Sequence, residues 1–209
     1  MKTKTNQKNT NIETEIKIKI DNPNTFISEL IEKKAVFKGK DFQRTIRMDT
    51  PNMDLQKKGI FLRVCSGLGN AITLKVKKEE NKDFKLRDEY ETKVEDINVL
   101  SRIFSILGFS KHFVMEKYRA NFLHKNVMIS IDELPFGIYV EFEGEPKDIN
   151  SVVKELGFEN SERITATYWH LFDNYLRKNN LSGENIIFPK NYKSQIMDLE
   201  IPKSQRKDI

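Results

Sequence analysis

The sequence predicts an α+β domain in which eight antiparallel β-strands form a barrel and helices pack around it. Eight segments have the polar–apolar alternation of strands and are joined mostly by short connections. Four other segments carry apolar residues at helical spacing. The predicted strands span residues 12–20, 42–49, 59–66, 71–78, 84–94, 112–123, 127–134 and 137–144.

The four predicted helices span residues 25–36, 96–107, 148–156 and 163–178. In the first helix, Phe26 and Leu30 share one face, and Asn24 is the candidate N-cap. The second and third helices end at Gly108 and Gly157, since glycine readily adopts the left-handed conformation that terminates a helix. These helices supply the apolar faces needed to cover the outside of a barrel.

One domain is predicted, from residue 12 to residue 190, because no linker or low-complexity stretch interrupts the chain there. Two polar segments flank this domain. Residues 1–11 form a polar N-terminal segment that we expect to fray, and residues 191–209 form a polar C-terminal tail. Lys203 and Arg206 belong to a basic cluster late in that tail.

The composition excludes several classes of protein. A hydrophobic fraction of 38% with 14 Phe is too high for a disordered chain. A single Cys excludes an intrachain disulfide, and three scattered His argue against a histidine metal cluster. The sequence contains no apolar run of about 18 residues, so no membrane span is predicted. The first ten residues lack the apolar centre of a signal peptide. We therefore predict a cytoplasmic protein without a membrane partner.

Charged residues alternate in register along the predicted strands. In the first strand Glu13, Glu15 and Lys17 fall on one face, and isoleucines fall on the other. The same alternation gives further polar faces, which carry Thr73, Lys75 and Lys77; Arg87, Glu89 and Glu91; Lys117 and Arg119; Ser130 and Asp132; and Glu141 and Glu143. One interpretation is a solvated outer face. Because these faces are almost entirely ionised on at least five strands, we favour a barrel with its charges inward.

Charges enclosed in a barrel must pair or meet a ligand, because an isolated buried charge is costly. Lys and Arg at this density suit a polyphosphate. Several carboxylates suit a hard divalent cation such as Mg²⁺ or Mn²⁺. The combination predicts a metal–phosphate site, and the inward carboxylates argue against a nucleic-acid partner.

The segment Glu13-Thr14-Glu15-Ile16-Lys17 resembles the ExExK signature of the CYTH superfamily, the triphosphate tunnel metalloenzymes. Further matches follow in family order: Leu62-Arg63, Leu74-Lys75-Val76-Lys77, Arg87 to Glu91, Glu116 to Arg119, Ile131 to Pro135, Val140 to Gly144 and Thr165 to Tyr168. The resemblance covers residues 12–189. The stretches Asp132 to Gly137 and Val140 to Glu145 look most like the class IV adenylyl cyclase branch.

The resemblance implies a tunnel that binds a triphosphate together with Mg²⁺ or Mn²⁺. The implied metal ligands are Glu13, Glu15, Asp132, Glu141 and Glu143. The implied phosphate-binding residues are Lys17, Arg63, Lys75, Lys77, Arg87, Lys117 and Arg119. The implied catalytic residues are Lys17, Glu141 and Glu143, with Lys17 a general base if neighbouring cations depress its pKa. A metal held by Glu141 and Glu143 would activate the ribose hydroxyl in a cyclase.

Two positions depart from the family pattern. Cys65 stands where members often carry a second strand-three arginine, and Arg47 stands where some carry a tyrosine. We expect Arg47 to replace the missing cation, and the reaction itself stays open. The favoured function is hydrolysis of an inorganic or organic triphosphate. The alternatives are a cyclase that converts ATP to cyclic AMP and pyrophosphate, and a non-catalytic nucleotide- or polyphosphate-binding module, against which the intact carboxylates argue. The cyclase-like branch also suggests a homodimer.

Overall fold

The fold is described from a computed structural model over residues 12–78 and 83–201. The predicted N-terminal segment and the Lys203–Arg206 cluster lie outside these residues. The described chain runs through β1 (Ile12–Ile20), α1 (Pro23–Glu32), β2 (Val36–Asp49), α2 (Asp54–Lys57), β3 (Ile60–Ser66), β4 (Ala71–Lys77), β5 (Lys85–Lys93), α3 (Ile97–Ile106), β6 (Lys111–His124), β7 (Val127–Leu134), β8 (Gly137–Glu143), α4 (Pro146–Glu155) and α5 (Tyr168–Lys178).

The eight strands form one closed antiparallel ring in the order β1-β5-β4-β3-β2-β6-β7-β8. This arrangement confirms the predicted α+β fold with an eight-stranded sheet and helices around it. Register brings opposite charges onto the same face: Lys17 lies opposite Glu141, and Lys75 lies opposite Glu89. Because paired residues on neighbouring strands share a face, every such pair points into the ring.

Most of the apolar core lies outside the ring, between the strands and the helices. Ile16, Ile18 and Ile20 of β1 point outward and are covered by α1 and α4, whose Leu30 and Ile149 are fully buried. Full burial of one such side chain contributes about 1.5–3 kcal/mol.

A second cluster covers the outer face of β3 and β4 with α3. A third cluster differs, because its strand residues Met115, Leu134 and Tyr139 lie on the inward-facing side of their strands, and α5 packs on them at one end of the ring. The rest of the interior is left mainly to charged residues.

Several element boundaries differ from the prediction. Asn22, and not Asn24, caps α1, because its side chain accepts hydrogen bonds from the amides of Asn24 and Thr25 while Pro23 occupies the first turn. The helix ends at Glu32, and β2 begins at Val36, six residues before the predicted strand. α5 begins at Tyr168 because Thr167 caps it and Ile164 pairs with the backbone of Lys17. α2 was not predicted.

The chain after α5 returns over the outer wall of the ring. Within the predicted tail, residues 191–201 pack against the barrel, and the side chains of Ile196 and Ile201 are buried in the main core cluster. In the described parts of the chain, none of the helices has the length and apolar character to cross a lipid bilayer.

Candidate active site

The inward-facing charges line a cavity of about 320 Å³ within the ring. Most of the lining comes from the strands, and α5 closes part of it with its first residues. The lining residues are Glu13, Glu15, Lys17, Phe61, Arg63, Lys75, Lys85, Arg87, Glu89, Glu91, Met115, Lys117, Arg119, Glu141, Glu143, Thr167, Tyr168 and Trp169. All the predicted site residues except Lys77 and Asp132 belong to this set.

Lys77 and Asp132 lie elsewhere for different reasons. Lys77 is the last residue of β4, and its side chain is exposed at the end of the strand. Asp132 is fully buried behind the lining, where its carboxylate accepts from the guanidinium of Arg119 at 2.5 Å through both Nε and Nη2. It also accepts from Lys117 Nζ at 3.1 Å and from the Tyr168 hydroxyl at 2.8 Å. As a metal ligand, Asp132 would have to exchange these donors.

Lys17 is the central cation of the cavity. Its ammonium lies 2.6 Å from Glu15 and 3.0 Å from Glu141, and 5.2 Å from the centre of the Tyr168 ring. Burial acts to lower the pKa of Lys17, but the carboxylates of Glu141 and Glu15 outweigh it and raise that pKa above its ordinary value. The neighbours that dominate are anions and not cations, which favours a charged ammonium at Lys17 over the general base that the resemblance implied.

A second group of charges is centred on Arg119. The guanidinium contacts Glu141 at 2.5 Å in addition to Asp132. Burial lowers the pKa of the neighbouring Lys117, and the positive charge of Arg119 lowers it further. Burial raises the pKa of Glu141, but Lys17 and Arg119 hold it well below its usual range. Glu141 therefore stays ionised between the two groups.

Carboxylates accumulate on the side of the cavity formed by β1, β5 and β8. Lys75 lies 2.6 and 2.7 Å from the two oxygens of Glu13 and 3.3 Å from Glu89. Desolvation and the charges of Glu13 and Glu15 raise the pKa of Glu143 to about 7. Burial and the charge of Glu15 raise the pKa of Glu13 as well. This region carries more negative charge than its cations neutralise.

These carboxylates suit a divalent metal by donor type. Glu13, Glu15 and Glu143 offer only oxygen donors, which Mg²⁺ and Mn²⁺ prefer, and a cation would relieve the repulsion that raises the pKa of Glu13 and Glu143. Within residues 12–78 and 83–201, however, no three acidic, His or Cys side chains already converge as a coordination group. Lys75 contacts Glu13, and Lys17 and Lys85 contact Glu15, so a metal bound by these two carboxylates would have to exchange with ammonium groups.

Two arginines of the lining have no carboxylate partner in the described structure. The Nε–H of Arg63 is buried without a hydrogen-bond acceptor, and neither Arg63 nor Arg87 forms an ion pair there. A buried donor without a partner costs roughly 1–3 kcal/mol. An anion could therefore approach either guanidinium group without displacing a carboxylate, in contrast to the paired lysines.

The sequence prediction missed part of the lining. Lys85 contacts Glu15 through a short ion pair, and burial lowers the pKa of Lys85 to about 8. Lys85 lies on the same face of β5 as Arg87 and Glu89, so the alternation of that strand could have predicted it. Phe61, Met115 and Trp169 also line the cavity, and apolar residues on a charged face gave no such signal.

The two atypical positions lie near the lining. Arg47 lies over the rings of Phe61, Phe113 and Trp169 at 5.1–5.9 Å and bonds Gln56, so it supports the aromatic side of the barrel and does not enter the cavity. Cys65 accepts a hydrogen bond from the Thr45 hydroxyl at 3.4 Å.

Comparisons with known proteins agree with this geometry. The CYTH domain model matches residues 11–168. A Methanocaldococcus jannaschii protein named as a candidate adenylate cyclase is 31% identical over 171 residues, which cover 81% of this chain and 97% of that protein.

Solved structures share the fold. A candidate adenylate cyclase from Vibrio parahaemolyticus has a TM-score of 0.66 at 16% identity, over 78% of this chain and 98% of its own. A Hippeastrum protein, described as a candidate adenylyl cyclase with a dominant triphosphatase activity, has a TM-score of 0.58 at 17% identity, over 78% of this chain and 96% of its own.

A closed antiparallel ring with a charged interior defines the class of triphosphate tunnel proteins. The chain belongs to the CYTH family. This family binds triphosphate substrates such as ATP, and its enzymes generally depend on a divalent metal.

Proposed function

We propose that this chain hydrolyses an inorganic or organic triphosphate in its charged cavity, with the help of Mg²⁺ or Mn²⁺. The observation that carries the proposal is the pair of unpartnered guanidinium groups, Arg63 and Arg87, in a cavity whose other cations are already neutralised. Arginine is suited to phosphate because its planar donors bind two oxygens at once. The triphosphatase activity described for the Hippeastrum protein supports the same assignment.

Charge balance supports the metal requirement. The lining carries seven Lys and Arg and six Glu, so it has little net charge to offer a multiply charged triphosphate. Glu13, Glu15 and Glu143 would hold the metal, which when bound supplies charge neutralisation at the phosphate oxygens. Glu141 and Asp132, the other two proposed ligands, are paired with cations in this structure.

The protein side chains act by position and charge. Phosphoryl transfer needs little covalent chemistry from a protein, so a fixed ammonium at Lys17 serves it without acting as a base. Arg63 and Arg87 would bind phosphate oxygens first, because their binding breaks no existing ion pair. Lys75, Lys117 and Arg119 would follow by exchanging a carboxylate for a phosphate. Glu141, with its lowered pKa, keeps Lys17 and Arg119 in place.

The second candidate is an adenylyl cyclase, and two observations favour it. The Methanocaldococcus jannaschii relative bears that name. Phe61 and Trp169 line the cavity next to Tyr168, and aromatic rings of this kind can stack on a purine. The cyclase would use the same phosphate-binding residues, with the ribose hydroxyl as the attacking group.

The test is one assay with Mg²⁺ or Mn²⁺, with inorganic triphosphate or ATP as substrate, and products separated by chromatography. Orthophosphate without cyclic AMP supports the proposal. Cyclic AMP with pyrophosphate supports the cyclase instead. Absence of product with measurable triphosphate binding leaves the binding module. A rate that survives EDTA contradicts the metal requirement.

Two lysines on the same face of β4 provide a matched comparison. Lys75 lines the cavity and pairs with Glu13, whereas Lys77 is exposed at the end of the strand. We expect Lys75→Ala to lose at least about a hundredfold in kcat/KM, the size of effect seen when a charge-stabilising donor is removed. Lys77→Ala should stay close to wild type. Equal loss in both variants would place the phosphates outside this cavity.

A further inference from the structure

The C-terminal strap, residues 181–201, lies beyond the residues matched by the CYTH domain model. The strap is nevertheless held by many polar contacts to the barrel. Its role is therefore inferred from these contacts.

The first attachment is to an open edge of β6. β7 pairs with β6 only from Tyr118 onward, so the preceding residues of β6 lack a strand on that side. Ile186 fills the gap: its N–H donates to the carbonyl of Val114 at 2.9 Å, and its carbonyl accepts from the Glu116 N–H at 2.7 Å. The side chain of Glu116 also accepts from the Phe188 N–H at 3.1 Å. The strap thus completes the hydrogen bonding of the wall.

The second attachment is Glu133, whose side chain is fully buried on the outer face of β7. Its carboxylate accepts four hydrogen bonds from the strap, from the hydroxyls of Tyr192 (2.7 Å) and Ser194 (2.6 Å) and from the amides of Gln195 and Ile196 (both 3.1 Å). A buried carboxylate is tolerated only with such donors. Removing the charge leaves several donors unsatisfied and weakens this attachment.

Both attachments lie directly behind residues of the cavity. Between Val114 and Glu116, Met115 lines the cavity, and Lys117 follows two residues later. Next to Glu133 in sequence, Asp132 points the other way and binds Lys117, Arg119 and Tyr168. A shift of the wall at either attachment moves these groups, and displacement by about 1 Å can cost roughly a hundredfold in a positioned reaction.

We infer that the strap is part of the tunnel wall, and that Glu133 is a positioning residue that holds Lys117 and Arg119 in place for the phosphates through this strap. This inference rests on the proposed function, since it concerns binding of the same triphosphate. It gives the C-terminal segment a role in the site although none of its residues lines the cavity.

The test compares full-length Glu133→Gln with wild type. Binding of inorganic triphosphate with Mg²⁺ is measured by calorimetry well below the unfolding midpoint of each protein, so that a general loss of stability does not alter Kd. Hydrogen exchange at the Glu116 amide reports release of the strap. We expect faster exchange and binding weaker by at least about tenfold.

Two further variants keep the test decisive. Tyr192→Phe/Ser194→Ala removes two of the four donors and leaves Glu133 charged, so it should fold and show a smaller loss of binding. Glu155→Gln is the matched control. Glu155 contacts Lys125 (2.7 Å) and His124 (3.2 Å), and none of these three residues lines the cavity. This control should bind like wild type.

If wild type binds inorganic triphosphate and Glu133→Gln binds it equally well, this inference is overturned and the proposed function is not. That holds whether or not the strap is released. Equal losses in Glu133→Gln and Glu155→Gln would also overturn it, because they would show a general structural effect. Wild-type protein that does not bind inorganic triphosphate would overturn the proposed function and this inference together.

Discussion

Lys17 has the most constrained charge among the residues of the cavity. It is almost completely buried, and two carboxylates and the ring of Tyr168 surround its ammonium. Because the carboxylates raise its pKa, the group stays protonated at any physiological pH. Its contribution to a reaction is electrostatic, and the same charge supports the fold by neutralising Glu15 and Glu141.

Lys17→Ala should therefore affect stability and turnover together. Removing one member of a buried ion pair costs about 3–5 kcal/mol, and we expect the lower end because Glu15 keeps Lys85 and Glu141 keeps Arg119. Denaturant unfolding measures this loss, and the assay above should show no turnover. Lys19→Ala is the control, since Lys19 follows on the same strand and is exposed. A stable, active Lys17→Ala protein would contradict the central role of this lysine.

Unlike Lys17, Glu143 makes the stability of the folded protein depend on pH. Its pKa rises from the ordinary carboxyl value to about 7 in the folded protein, so the folded state binds more protons than the unfolded state between about pH 4.5 and 7. In metal-free protein, this group therefore lowers the free energy of unfolding as the pH rises through that window. The effect is absent below the window, where the carboxyl is protonated in both states.

Glu143→Gln should remove this dependence. We expect metal-free wild type to lose stability relative to Glu143→Gln between pH 4.5 and 7, as measured by thermal unfolding in EDTA. Added Mg²⁺ should reduce the difference, because a bound cation compensates the carboxylate. Parallel stability curves for the two proteins across this window would refute the raised pKa.

Strand parity explains how much of the site the sequence could predict. Alternation places Lys75 and Lys77 on the same face, and only the end of β4, fixed by tertiary pairing, leaves Lys77 exposed. Alternation also selects Lys85, which escaped prediction because the family match begins at Arg87. The aromatic lining was not predictable, since Tyr168 and Trp169 enter from a helix whose starting residue depends on the Thr167 cap and the Ile164 bridge.

Helix α5 does more than cover the ring. Its first residue, Tyr168, enters the ring and donates to Asp132, while Phe172 and Leu176 pack in the apolar cluster at that end of the ring. The helix thus joins the charged part of the interior to the apolar cluster that covers its end. Both ends of this connection depend on the helix starting at Tyr168.

Tyr168→Phe isolates the interior contact. The hydroxyl bonds a buried carboxylate, and loss of a hydrogen bond to a charged group costs about 1.5–3 kcal/mol. We expect a loss of stability in that range in denaturant unfolding, with weaker triphosphate binding, because Asp132 then holds Lys117 and Arg119 less firmly. Tyr175→Phe, in the same helix and partly exposed, should leave both quantities unchanged. Identical behaviour of the two variants would contradict the role of this hydroxyl.

The polar–apolar alternation along the strands was sufficient to predict an inside-out arrangement, with most charges within the ring and the main apolar cluster outside it. Alternation does not specify what lies next to each strand end. The pairing of Ile186 with β6 and the capture of residues 192–196 by Glu133 join positions distant in sequence, and the polar composition of the final segment indicated a tail. These contacts depend on the assembled wall.

Closure of the ring depends on pairings between strands that are far apart in sequence. Strands that follow one another in sequence pair within β2–β3–β4–β5 and within β6–β7–β8. The ring also needs three pairings between distant segments, namely β2 with β6, β1 with β5 and β1 with β8. Pairings of such long sequence separation are costly in chain entropy. Glu13, Glu15 and Lys17 all reside on β1. A chain whose other strands are paired but whose first strand is undocked would lack these three residues in its cavity. We therefore expect triphosphate binding to be lost before the rest of the sheet unfolds.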